Sequence, residues 1–252
     1  TIMINNYFKI GWRNLRSHTG YSLINILGLA LGITGAILIF TLVTYHLSFD
    51  TFHSNVKRIY RVTTEFHQEE INQTPITPQP IGKALRADYT FAEKIAMVYS
   101  RPEWLVTIPS SEGSEKFEED IAFAEPEFFD ILDFPLVQGD RKAILTEPNT
   151  AIITEQVAEK FFGDQNPIDQ MIRVQNKVDF RIIGVLQDLP INTDRRDEIY
   201  VSYSNLKDYN EWLAGDSWQG EAGGMNCFML LKPDVSPSEV NRAYPELSQK
   251  YY

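Results

Sequence analysis

The hydrophobic pattern divides the chain into one long apolar run and a remainder in which short apolar and polar stretches alternate. No Asp, Glu, Lys or Arg occurs between Arg16 and Asp50, and residues 21–45 are dominated by Leu, Ile and small residues. A helix needs about 20 apolar residues to cross the hydrocarbon core of a bilayer. Because no proline interrupts the run, the pattern predicts one transmembrane helix over residues 21–46.

Two other kinds of segment, a cleaved signal peptide and a buried core helix, fit this run less well. The apolar part of a cleaved signal peptide has roughly 7–15 residues and ends at a small-residue cleavage site. The run is longer than that, and no A-x-A pattern follows it. A buried helix of a soluble core seldom stays uncharged over such a length. A retained membrane anchor is therefore the favoured interpretation.

Residues 1–20 predict a basic amphipathic segment on the cytoplasmic side. Lys9, Arg13 and Arg16 share one helix face and Trp12 lies on the neighbouring one, as expected of residues at a membrane interface. No acidic residue precedes the apolar run. The positive-inside rule then places the N-terminus in the cytoplasm and residues 47–252 outside. We therefore expect the membrane lipid itself to be a partner of this segment.

The exported part is acidic. Removing the three basic residues before the helix leaves 20 Lys and Arg against 34 Asp and Glu in residues 47–252, a net charge of −14. This charge argues against nucleic acid as a partner. The one cysteine, Cys227, has no second cysteine with which to form an internal disulfide, so the domain depends on packing.

A small-residue motif lies inside the apolar run. Gly28 and Gly32 form a G-x-x-x-G pattern that Ala36 continues. Such spacing lets a second helix approach closely. The motif predicts a helix-packing face whose partner this segment does not supply.

Beyond the membrane helix the pattern mixes strands and helices without regular alternation, which is typical of an α+β domain. Strands are predicted over residues 56–66, 94–99, 103–108, 117–124, 151–154, 172–174, 180–186, 198–203 and 226–231. Helices are predicted over residues 79–88, after Pro126, and over 155–162, 206–213 and 237–249. Residues 110–113 predict a turn, and residues 220–224 predict an interruption between elements of secondary structure.

Several motifs, in order along nearly the whole chain, resemble bacterial ABC-transporter permeases of the MacB/FtsX type. The junction after the helix, residues 49–62, reads F-D-x-F-H-x-N-x-x-R-I-Y-R-V. Residues 6–15 and 25–32 are similar to the start of those proteins. Residues 128–140 (FFDILDFPLVQGD), 147–155, 160–168 and 184–190 (GVLQDLP) resemble their extracytoplasmic core domain.

The resemblance implies the N-terminal part of a longer permease subunit in the bacterial inner membrane, with its main domain periplasmic. It implies a cytoplasmic ABC ATPase as one partner and other permease helices or a second permease copy as another. It also allows a periplasmic or outer-membrane partner. The core domain would have a porter-like lobe (residues 47–100 and 224–252) and an inserted β-rich lobe (residues 101–223). The function would be export, lipoprotein extraction or signalling across the membrane.

The junction is the candidate site for coupling helix and domain. Its short length and its apolar and charged side chains favour a stiff connection. The residues concerned are Phe49, Asp50, Phe52, His53, Arg58, Ile59, Tyr60 and Arg61.

The chain carries no motif of an enzyme. There is no P-loop, G-x-S-x-G, H-E-x-x-H or paired C-x-x-C, so no catalytic, cofactor-binding or metal-binding residue is predicted. ATP hydrolysis is expected in a separate subunit. The alternative function, from a different class, is a single-pass anchored binding or sensor domain.

Overall fold

The computed structural model describes residues 2–67, 71–110, 113–218, 220 and 222–251. Contacts divide the chain into two compact units, Thr1–Phe49 and Asp50–Tyr252. The first unit consists of the helices α1 (Ile2–Ser17) and α2 (Thr19–Leu47). Among the described residues, α2 is the helix that is long and apolar enough to cross a membrane. The predicted N-terminal apolar helix is thus confirmed, with bounds slightly wider than residues 21–46.

The second unit is a mixed α+β domain, which confirms the predicted fold class. Its described strands are β1 (Ile59–Arg61), β2 (Thr64–His67), β3 (Ile71–Thr74), β4 (Ala92–Ser110), β5 (Gly113–Ala124), β6 (Leu136–Gly139), β7 (Thr150–Thr154), β8 (Met171–Val174), β9 (Val178–Leu186), β10 (Ile199–Ser202) and β11 (Met225–Leu231). Its helices are α3 (Ile81–Asp88), α4 (Phe128–Ile131), α5 (Glu155–Phe162), α6 (Leu206–Tyr209) and α7 (Pro237–Tyr251).

Nine of the described strands form one sheet in the order β1-β11-β4-β5-β10-β7-β9-β6, while β8 pairs with both β4 and β9. The strands β4, β5, β10, β7, β9 and β8 therefore form a closed ring of paired strands. Most pairs are antiparallel, but β5 with β10 and β7 with β9 are parallel. The strands β2 and β3 form a separate antiparallel hairpin.

Local sequence signals account for the strand β7 and for the helix α5 that follows it. Residues 150–154 read T-A-I-I-T, a β-branched run suited to a strand buried on both faces, and all five residues of β7 are buried. The Thr154 side chain then accepts a hydrogen bond from the Val157 amide and caps α5. Gly163, at φ 56°, follows the last residue of the helix.

Two clusters of buried side chains hold the domain together. The larger cluster packs α3, α5 and α7 against the sheet and fills the ring of strands. The smaller cluster packs α4 and the residues that follow it against the sheet, with Phe128, Phe129, Phe134 and Tyr200 at its centre. The motif FFDILDF therefore builds this second core, and the junction described below rests on it.

The predicted boundary between two lobes falls inside one strand. β4 pairs with β11 through its first half and with β8 through its second half. The register shifts between Arg101 and Trp104, and Glu103 between them has a φ of 55°. The predicted division at residue 100/101 thus coincides with a bulge in a continuous strand. The two-lobe division stays a prediction.

Three local predictions were wrong. Residues 56–66 are not one strand but a short 3-10 helix (Val56–Arg58) followed by β1, a break and β2. Residues 94–99 and 103–108 are one strand rather than two, and α6 ends at Tyr209. The predicted turn at residues 110–113 includes residues 111–112, which lie outside the described residues.

Candidate coupling site at the start of the domain

Asp50, the first residue of the domain, is hydrogen-bonded to a loop that is distant in sequence. The amide of Asp50 donates to the carbonyl oxygen of Asn192 at 3.0 Å, and its carboxylate accepts from Thr193 Oγ1 at 2.5 Å. The amide of Asp194 adds a third bond at 3.3 Å. Asp50 has a φ of 53°, a conformation that Asp tolerates better than most residues. These bonds hold the first residue of the domain against the loop at residues 192–194.

A second set of bonds joins the junction to the loop after α4. Nδ1 of His53 lies 3.1 Å from Oδ1 of Asp133 and donates to it, since an ionised carboxylate only accepts. The Ser54 amide and hydroxyl also donate to this carboxylate. His53 is only 3% exposed. The Asp133 side chain therefore holds two consecutive junction residues.

These bonds set the protonation of Asp133. Partial burial on its own would raise the pKa of this carboxyl group, but the hydrogen bonds from Ser54 and His53 outweigh it. The net effect is a pKa below the ordinary Asp value. Asp133 is thus ionised near neutral pH, as the donor geometry requires.

Aromatic packing supports the same contact. The Phe52 ring lies 4.2 Å from the His53 ring and 6.4 Å from the Phe134 ring, centroid to centroid. The His53 ring meets Phe134 edge-on at 5.3 Å. His53 is thus enclosed between the junction and the second core, which makes it a structural residue.

Arg58 provides a third attachment. Its guanidinium donates to Glu93 Oε1 at 2.9 Å, to the carbonyl oxygen of Leu231 at 2.8 Å and to Asn55 Oδ1 at 2.8 Å. The planar guanidinium carries several donors in fixed directions and can hold three partners at once. Arg58 therefore connects the junction to the start of β4 and the end of β11.

The remaining junction residues enter the sheet. Ile59, Tyr60 and Arg61 form β1, which pairs antiparallel with β11. Ile59 packs against the second core, and the Tyr60 hydroxyl donates to the Lys57 carbonyl oxygen at 3.3 Å. The junction thus continues directly into the edge of the sheet.

A cavity of about 230 Å³ opens beside these attachments. Its wall combines two arginines, two aspartates, one histidine and four apolar side chains: Arg61, Arg195, Asp50, Asp194, His53, Val56, Ile59, Leu132 and Phe228. The guanidinium of Arg195 lies over the Phe228 ring at 5.7 Å. The cavity is amphipathic and carries both signs of charge.

Other predicted positions lie in the first unit. Phe49 packs edge-on against Tyr45 at 5.2 Å, at the end of α2. Lys9, Trp12, Arg13 and Arg16 are exposed on α1. Gly28, Gly32 and Ala36 are exposed on α2, and a methyl group at either glycine would meet nothing within 4 Å beyond the helix itself. The helix-packing and membrane-interface roles stay predictions.

The described residues contain no group of three or more His, Cys, Asp or Glu side chains placed to hold a metal ion. Cys227 is fully buried in β11, and burial raises the pKa of its thiol far above the ordinary value. A protonated, inaccessible thiol is a poor nucleophile. The described junction residues are held by hydrogen bonds and ring contacts.

Comparison with known proteins gives the family. Residues 22–247 match the model of the MacB-like periplasmic core domain. The chain belongs to this family. No match was found among curated proteins.

Two solved structures show the same fold. One is a domain described as part of a permease from Porphyromonas gingivalis, with 21% identity and a TM-score of 0.67 over 79% of this chain and 84% of that one. The other is the periplasmic region of MacB from Actinobacillus actinomycetemcomitans, with 17% identity and a TM-score of 0.52 over 69% and 74%. The predicted resemblance to MacB-type permeases is confirmed.

The structure of this MacB-like domain adds residues that sequence reasoning missed. Asp133, Thr193, Asp194 and Glu93 complete the junction, yet none was predicted as a site residue. One signal was present, since Asp133 is one of two acids in the largely apolar run F-F-D-I-L-D-F. A charge in such a run requires a partner if it is buried.

Asp133→Asn tests the second attachment. We expect a loss of about 1–2 kcal/mol in the free energy of unfolding at neutral pH, because a charged acceptor of several hydrogen bonds is replaced by a weaker one. The folded-state pKa of Asp133 is lowered, so its ionisation favours folding above the ordinary Asp pKa of about 4. This advantage disappears as the pH falls through the lowered value.

Denaturant titrations of wild type and variant between neutral and acid pH check this. The two curves should converge at acid pH. Asp130→Asn is the matched control, since Asp130 is exposed and, among the described residues, its carboxylate pairs with Lys94 at 3.1 Å. Equal stability of Asp133→Asn and wild type at neutral pH would contradict the assignment.

Proposed function

We propose that this chain is the N-terminal part of an ABC-transporter permease subunit whose junction passes motion of the membrane helix to the extracytoplasmic domain. The energy would come from ATP hydrolysis by a cytoplasmic partner subunit. The output would be export, lipoprotein extraction or signalling across the membrane. Membership of the MacB-like periplasmic core domain family supports the permease part.

One observation carries the mechanical part. Within nine residues of its start, the domain is attached at three points to segments far apart in sequence: to the loop at 192–194, to Asp133, and to both Glu93 and Leu231. A connection held at several points cannot bend freely. A displacement of Asp50 would therefore move both the second core and the sheet.

The partner can be identified directly. We expect the tagged natural protein, extracted from its own membrane with a mild detergent, to retain an ABC ATPase and to hydrolyse ATP as a complex. The isolated domain from Asp50 should bind no nucleotide in calorimetry. Recovery of the protein without an ATPase under several extraction conditions would favour the alternative, a single-pass anchored sensor.

The proposed orientation puts residues 1–20 in the cytoplasm and the domain in the periplasm. A cysteine at the exposed Ser17 should resist an impermeant thiol reagent in intact spheroplasts, whereas one at the exposed Ser114 should react completely. Cys227 is buried, so it should not contribute to labelling before denaturation. The reverse pattern would overturn the orientation.

The glycine face of α2 is proposed to contact other permease helices or a second permease copy. Gly28→Leu with Gly32→Leu should reduce recovery of the assembled complex severalfold, because the side chains prevent close approach of a helix. Leu31→Phe, a bulky change at an exposed apolar position outside the motif, is the control. Unchanged recovery of the glycine double variant would mean that this face contacts lipid alone.

A further inference from the structure

Exposed apolar side chains gather at the start of the domain. Ile191 is 76% exposed, the highest value among the large apolar side chains described in the second unit. Phe52 is 40% exposed and Val56 is 39% exposed. Ile191 is next to Asn192, whose carbonyl oxygen accepts from the amide of Asp50 at 3.0 Å. Two segments far apart in sequence therefore present apolar side chains at the domain's first residue.

Chain connectivity limits how far these side chains can lie from the bilayer. Asp50 follows the last residue of α2, Leu47, by three residues. An extended chain spans at most about 3.6 Å per residue, so Asp50 stays within about 11 Å of Leu47 at any angle between helix and domain. The hydrogen bond to Asn192 extends this limit to the loop that carries Ile191.

The length of α2 suits this placement. Its 29 residues would measure about 43 Å, while the hydrocarbon core is about 30 Å and the whole bilayer about 40–45 Å thick. The uncharged sequence ends at Asp50. A helix centred on the core would leave Leu47 in the headgroup layer. Exposed apolar side chains within reach of that layer gain free energy by burial in it.

The polar neighbours favour a lipid headgroup over a protein surface. Arg61 and the Asp194 carboxylate line the cavity, and the described residues give neither side chain a hydrogen-bond or ion-pair partner. Lys57 and Arg196 are exposed nearby in sequence. A zwitterionic headgroup offers a phosphate to the guanidinium and an ammonium to the carboxylate. A purely anionic headgroup would satisfy only one of the two.

We propose that Phe52, Val56 and Ile191 form a lipid-contact surface in the outer headgroup layer, and that the adjoining cavity takes the headgroup of a zwitterionic phospholipid. This surface anchors the domain beside the point where force would enter it. The proposal requires α2 to be inserted in the membrane, but it does not require an ATPase partner. It can therefore be tested separately from the proposed transport function.

A single fluorescent label tests the surface. Ile191→Cys in the full chain is labelled with an environment-sensitive nitrobenzoxadiazole dye and placed in phosphatidylethanolamine nanodiscs. Cys227 is buried, so the dye attaches only to the introduced cysteine. Lipids carrying a nitroxide near the headgroup should quench most of the emission. The matched control, Ser114→Cys, lies at the end of the β4–β5 hairpin and should keep its emission.

No quenching at position 191, or equal quenching at positions 191 and 114, would overturn the lipid-contact surface. A blue shift at position 191 that appears only with a protein partner would do the same. The melting curve of Ile191→Cys should match that of wild type, since the replaced side chain is exposed.

The headgroup site is tested in the same assay. Nitroxide-labelled phosphatidylethanolamine should quench the dye at position 191 more strongly than equally labelled phosphatidylglycerol. Arg61→Gln combined with Asp194→Asn should remove this difference, whereas Arg173→Gln with Asp179→Asn, an exposed ion pair elsewhere, should preserve it. Equal quenching by both lipids in the wild-type background would overturn the headgroup site.

Discussion

Replacing Gly224 with alanine is expected to destabilise the domain by about 3 kcal/mol or more, through backbone strain and overlap of atoms. Gly224 has a φ of 97°, where residues with a side chain are strained. A methyl group there would overlap the carbonyl oxygen of Ser100. The carbonyl oxygen of Gly224 also accepts from the Ser100 amide at 3.0 Å, so the two strands cannot separate without losing this bond.

Thermal unfolding of the full chain in detergent measures the effect. For a domain of this size, about 3 kcal/mol lowers the midpoint by roughly 6–12 °C. Gly223→Ala is the control in the neighbouring position, because its φ is not positive and a methyl group there would meet nothing within 4 Å. If both variants melted like wild type, the close approach of β4 and the start of β11 would be wrong.

Gly223 and Gly224 illustrate what the sequence can predict and what it cannot. The three glycines within residues 220–224 predict an interruption of regular secondary structure, because glycine allows conformations that other residues avoid. This pattern does not say which glycine is required. That depends on Ser100, more than a hundred residues earlier in the chain, and only the pairing of β4 with β11 brings the two together.

The junction shows the same division between local and tertiary information. The motif F-D-x-F-H was identified as a site from its resemblance to permeases. Its partners Asp133 and Thr193 are 80 and 143 residues away from His53 and Asp50. The wrong strand over residues 56–66 has the same origin, because the β-branched and aromatic run favours a strand. The bonds of Arg58 to Glu93 and Leu231 accompany a 3-10 turn there.

Two acidic residues in polar stretches of the sequence, Glu119 and Asp197, are buried in the structure. Lys160 lies 2.5 Å from Glu119, and Arg195 lies 3.9 Å from Asp197. Burial raises the pKa of Asp197, and the charge of Arg195 only partly opposes this. A polar run in sequence cannot reveal that one member faces inward, because that choice depends on the neighbouring strands.

A flexible insertion before Asp50 is expected to abolish coupling while leaving the domain intact. About eight Gly and Ser residues between Phe49 and Asp50 would add a coil whose ends are on average about 16 Å apart. The three attachments lie entirely within the domain, so they and the melting temperature should not change. Movement of the helix would then be absorbed by the coil instead of displacing Asp50.

Amide hydrogen exchange in the membrane complex measures this coupling between the membrane helix and the domain. In the wild type, ATP should change exchange in the segments attached to the junction, residues 131–134 and 191–194. With the insertion, that change should fall below about a tenth of its wild-type size, together with the transport-dependent phenotype, while ATPase binding persists. The same insertion between Gln165 and Asn166, in an exposed loop, should have no effect. Full coupling with the insertion before Asp50 would show that the junction only anchors the domain, because slack at that point removes any mechanical path through it.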